Sequence, residues 1–68
     1  MPRPIDTDEF AMGIRHVIVR VYSPQGSELG PIYRVTIDGK LQNGRFPCPD
    51  PLQLPQIRTA VRRRYAHQ

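Results

Sequence analysis

Residues 14–22 read IRHVIVRVY, with Val17, Val19 and Val21 on one side of a two-residue period and Ile14, His16, Ile18, Arg20 and Tyr22 on the other. Such alternation, rich in β-branched residues, marks a strand with one buried face. The all-valine side is the face expected in the core. A second alternation follows in Ile32–Ile37, IYRVTI, where Tyr33, Val35 and Ile37 interleave with Ile32, Arg34 and Thr36. The segment between these strands, SPQGSELGP, is a run of turn formers. Asp38-Gly39 and Asn43-Gly44 both carry a hairpin signal. A two-residue turn at Asp38-Gly39 would pair Ile37 with Lys40 and Val35 with Gln42, placing two polar side chains on the core face. A three-residue loop pairs Ile37 with Leu41 and preserves the pattern. The three-residue loop is therefore expected, with a third strand over about Leu41–Phe46, bulged at Gly44.

Pro47, Pro49 and Pro51 end the sheet, since neither strand nor helix continues through three prolines so spaced. From Pro55 the apolar period changes to four. Ile57, Val61 and Tyr65, with Ala60 beside them, form one helical stripe, and Pro55 suits a first helical position. Arg58 and Arg62 lie on one flank of the stripe, Arg64 on the other, and Arg63 nearly opposite. Residues 1–13, MPRPIDTDEFAMG, read as an N-terminal arm or short helical turn, capped by Asp6 or Thr7, stopped by Gly13 and anchored by Phe10 and Met12. The predicted fold is α+β. A three-stranded antiparallel β-meander packs on one C-terminal α-helix, in a single small domain over 14–68. Val17, Val19, Val21, Val35, Ile37, Ile57 and Val61 form its core.

The length of 68 residues and a hydrophobic share of 38% fit one core and no more. No apolar run approaches the roughly 20 residues of a membrane span, so no membrane partner is expected. MPRPIDTDEF lacks the apolar stretch of a secretory signal. With Cys48 as the single cysteine, the expectation is a soluble protein of a reducing, cytoplasmic compartment.

The net charge of +4 is unevenly placed. Residues 1–34 balance four arginines against four acids, and the whole excess falls in residues 35–68. Residues 51–68 contain Arg58, Arg62, Arg63 and Arg64 and no acid. Arginine dominates the basic residues, and its planar fork matches phosphate and carboxylate.

No catalytic constellation accompanies this charge. His16, His67 and Cys48 would have to converge to make a metal site, and no metal or cofactor is expected. Asp8 and Glu9 are sequence neighbours, and adjacent positions do not flank one scissile bond. No glycine spacing fits a phosphate-binding loop. The chain reads as a binding module and not as an enzyme.

Two surfaces are available for binding. One is the sheet face opposite the helix, with His16, Ile18, Arg20, Tyr22, Ile32, Arg34 and Thr36. Its mixture of Arg, Tyr and exposed Ile is that of an interaction face. The other is the arginine-bearing helix, helped by Arg45.

In the order of its elements, the stretch YRVTIDGKLQNGRFPCPDPLQLPQIRTAVRRR (Tyr33 to Arg64) resembles two small nucleic-acid-binding folds. One is the three-stranded-sheet-plus-helix domain found in a class of plant transcription factors and in phage integrase arm-binding domains. The other is the double-stranded RNA-binding domain. The first resemblance implies arginines of the sheet entering the major groove. The Pro-rich connector departs from both, and the Lys-Lys pair that opens the last helix of the RNA-binding domain is absent. The likeness is one of topology, which does not fix function, and no family membership follows.

The expected function is therefore a non-enzymatic module that engages nucleic acid. Arg20, Arg34 and Arg45 would make groove or phosphate contacts, Tyr22 would stack or hydrogen-bond, and Arg58, Arg62 and Arg63 would hold phosphates. The alternative is a small inhibitor or adaptor that uses the same sheet face on an acidic or nucleic-acid-handling protein, for example a phage-encoded antagonist of a host protein. A third reading is a homodimer formed through the edge of the 14–22 strand.

Overall fold

Val17, Val19, Val21 and Val35 are fully buried, and with Ile37 they define the side of the sheet that the helix covers. The computed structural model describes residues 3–66. Its strands are β1 (Asp6–Met12), β2 (Arg15–Tyr22), β3 (Ile32–Ile37), β4 (Lys40–Leu41) and β5 (Phe46–Pro47), followed by the helix α1 (Leu54–Arg64). All strand pairs are antiparallel: β1 with β2, β2 with β3, and β3 with both β4 and β5. The fold is α+β, one antiparallel sheet with a C-terminal helix across one face. Ile57 and Val61 are the buried helix positions, and Tyr65, just past the helix end, is buried with them, as the four-residue stripe requires.

The N-terminal segment departs from the sequence expectation. Residues 6–12 are a full strand rather than an arm or a helical turn. Gly13 does not stop a helix. It takes φ 65° as the first residue of a two-residue turn closed by the Met12–Arg15 pair, the Gly-X form of tight hairpin. Phe10 then lies opposite Val17 and is buried, while Asp8 lies opposite Val19. An acid at a core-facing position hides the alternation.

The third strand also differs. It is split into β4 and β5, two residues each, and the turn before it is the two-residue one. Asp38 and Gly39 have φ 50° and 81°, the two positive values of a type I′ turn. Ile37 therefore pairs with Lys40. The polar cost that argued against this register is absent, because the strand ends after Leu41 and Lys40 stays exposed.

β2 has no free edge, since β1 and β3 flank it on both sides. A homodimer built on the edge of the 14–22 strand is thereby excluded. On β1, the Thr7 and Glu9 amides donate to the Asp6 and Asp8 carboxylates at 2.9 and 3.0 Å. Acidic side chains that occupy amides of an outer strand discourage another strand from pairing there.

Candidate nucleic-acid interface

The strand register sorts the open face into cross-strand rows. Thr7, Arg20 and Arg34 form one row, Glu9, Ile18, Thr36 and Leu41 the next, and Tyr22, Ile32 and Pro47 the row on the other side. Arg20 and Arg34 are direct cross-strand partners. The Arg20 guanidinium donates to the Thr36 hydroxyl at 3.1 Å. Arg34 Nε is enclosed and has no acceptor. Among the described residues no carboxylate forms an ion pair with either arginine. Like charges placed opposite one another on a sheet are destabilising, and an enclosed donor without an acceptor adds to the cost. Glu9, the acid closest in register, instead meets His16 Nε2 at 2.7 Å.

This face is less open than the alternation implies. Ile32 is 5% exposed and Thr36 9%. Ile32 lies against Pro47 and lines a groove with Pro31, the residue before β3, and with Pro49 and Leu52 of the proline-rich connector. Thr36 accepts the Arg20 bond and lies beside Leu41. Ile18, Arg20, Tyr22 and Arg34 remain half-buried, and Leu41 is 57% exposed.

The other anticipated residues fall elsewhere. Arg58 makes a two-pronged bond to Asp8, Nε to Oδ2 at 3.1 Å and Nη2 to Oδ1 at 2.7 Å, and stands 4.9 Å from the Phe10 ring centre. These bonds tie helix to β1, hold the Asp8 carboxyl below its ordinary range and push the Arg58 pKa up. Arg45 is likewise forked onto Glu28 at 2.9 and 3.0 Å, which lowers the Glu28 carboxyl. Arg62 stacks over Phe10 at 5.3 Å and Arg64 over Phe46 at 4.0 Å, on the two flanks the stripe assigns them. Arg63 is exposed, and its side chain makes no hydrogen bond among the described residues. The open face thus gathers Arg20, Tyr22 and Arg34, and the opposite side of the molecule carries Arg62 and Arg63. Arg58 and Arg45 are held by acids.

Sequence reading missed both of those acids. Asp8 shares a two-residue period with Phe10 and Met12, which is a usable sign of a strand. Glu28 sits in a loop 17 residues from Arg45, and nothing local marks the pair.

Cys48 is half-buried against the core, and burial pushes its thiol up, away from the reactive thiolate. His67 lies outside the described residues. Among the described residues, no three of His, Cys, Asp or Glu stand close enough together to hold a metal ion, and no helix is long and apolar enough to cross a membrane. Comparison with protein-family models, curated proteins and solved structures finds no match to this chain.

Proposed function

We propose that this protein is a non-enzymatic binding module that holds nucleic acid on the open face of its sheet. The observation that carries the reading is the cross-strand pair of Arg20 and Arg34, register partners on the open face that meet no carboxylate among the described residues. Like charge at opposed positions opposes folding here. A phosphate placed between the two would accept from both and remove their repulsion. Tyr22, half-buried in the adjoining row, would stack on a base or donate to a sugar or phosphate. Arg62 and Arg63 would hold phosphates on a separate surface. Such a module suits the cytoplasm, where a lone thiol such as Cys48 stays reduced.

Ile18, Tyr22 and exposed Leu41 around the arginine pair favour a second reading, an inhibitor or adaptor that grips an acidic protein with the same face. Retention of duplex DNA and RNA on filters at about 50 mM salt, where non-specific binders still hold, separates the two. The nucleic-acid reading expects retention that falls steeply with salt and weakens in Arg20→Ala and Arg34→Ala. Absence of retention at low salt overturns it and favours the protein partner.

A further inference from the structure

We propose that the protein carries two independent phosphate-binding faces, one on each side of its sheet-and-helix slab, and that a single chain bridges two nucleic-acid segments. This rests on the nucleic-acid reading above. The first face is the Arg20–Arg34 pair. The second is the outer side of α1. Ile57, Val61 and Tyr65 turn inward onto the valine face, so Arg63 points away from the sheet. With Gln56, Thr59 and Arg64 it lines a shallow groove of about 460 Å³.

The helix contains no acid, and Asp8, the acid bonded to its flank, is fully engaged by Arg58. Arg62 and Arg64 are held by their stacks on Phe10 and Phe46. A stacked guanidinium can still donate in its own plane, and prior immobilisation lowers the cost of ordering it on a ligand.

The fold itself keeps the two faces apart. Arg20 and Arg34 lie on the side of the sheet away from α1, and Arg63 lies on the side of α1 away from the sheet, with the buried core between them. Two segments can therefore be held together.

The test is co-capture. Wild-type protein, kept limiting, is mixed with a duplex fixed to beads and a fluorescent duplex in solution at about 50 mM salt, where electrostatic binding is strong. Wild type is expected to bring the fluorescent duplex to the beads. Arg20→Ala/Arg34→Ala and Arg62→Gln/Arg63→Glu should each still bind a single duplex, with co-capture at background. Arg63→Glu alone leaves both stacks intact and serves if the double helix variant melts early. Retention of wild type on the beads without the second duplex overturns bridging and spares the nucleic-acid reading. Co-capture that survives loss of either face overturns it too, because self-association then does the bridging. A folded single-face variant that binds no duplex shows one continuous site and also overturns it. If wild type binds no duplex at all, the underlying reading fails and the inference goes with it.

Discussion

Val19 and Arg20 are neighbours in one strand, and their surroundings have little in common. Val19 is fully buried between Asp8 and Val35 in register, beneath the helix. Arg20 lies on the opposite face between Thr7 and Arg34. The covered face is explained by folding alone, since each buried valine or isoleucine contributes roughly 1.5–3 kcal/mol through apolar area removed from water. The open face is not, because its central pair sets like charges together. The same contrast divides the arginines. Arg58 and Arg45 are spent on acids that fix the structure, whereas Arg20, Arg34 and Arg63 have no ion pair among the described residues. Residue type is thus a poor guide to function in an arginine-rich chain, and the partner of each guanidinium is a better one.

Truncating the covered face should have the largest effect. Val19→Ala or Ile57→Ala is expected to cost on the order of 2–4 kcal/mol in urea unfolding, a large share of the stability of so small a domain. A midpoint unchanged in both variants would break the sheet-on-helix assignment.

On the open face the direction should reverse. Arg34→Thr is expected to leave stability unchanged or raise it by about 0.5 kcal/mol, by removing the like-charge pair. Its duplex affinity should fall, and the log–log salt slope should lessen by roughly 0.9, one phosphate's worth. Lost stability together with unchanged affinity would erase the distinction between the faces.

Asp8→Asn sharpens the division among the arginines. Hydrogen bonds from Arg58 lower the Asp8 carboxyl. A carboxyl depressed on folding adds stability that is present above its unfolded value, roughly 3.9, and is lost as pH falls through the lower folded value. The wild-type melting temperature should therefore drop as pH falls below about 4, and the drop should be shallower in Asp8→Asn. At neutral pH the variant should melt earlier than wild type by less than Val19→Ala does, and its duplex binding should not weaken, since the change removes a negative charge and releases Arg58. Identical acid profiles would show that the Arg58–Asp8 bonds add nothing.

The smallest effect is expected at Cys48. Cys48→Ala should bind as wild type does, and the native thiol should alkylate slowly at neutral pH because burial disfavours its thiolate. Rapid labelling, or loss of binding with the fold intact, would reveal chemistry at that position.

The covered face was legible because burial imposes period: the valines of β2, the Tyr33–Val35–Ile37 set and the Ile57–Val61 stripe announce it directly. β1 was not, because an outer strand needs only Phe10 and Met12 on its inner side and can carry Asp6 and Asp8 there, residues with low strand propensity. The Asp38-Gly39 turn escapes the pattern for a related reason. The core face ends near Ile37, so alternation no longer dictates the register beyond it. The open-face residues Arg20, Tyr22 and Arg34 could be grouped from their period, but not the pairing that sets Arg20 against Arg34. The engagement of Arg58 with Asp8 spans 50 residues, and that of Arg45 with Glu28 spans 17. Only tertiary structure brings such partners together, so the free and the occupied arginines look alike in the sequence.

Titrating a short duplex into isotope-labelled protein while following the arginine Nε–Hε NMR signals tests the division most directly. Arg20 and Arg34 should shift progressively and return as salt is raised, since their contacts are with phosphate, while Arg45 and Arg58 stay fixed in their forks on Glu28 and Asp8. Signals of Arg20 and Arg34 that do not move at saturating duplex would contradict the assignment of the open face to nucleic acid.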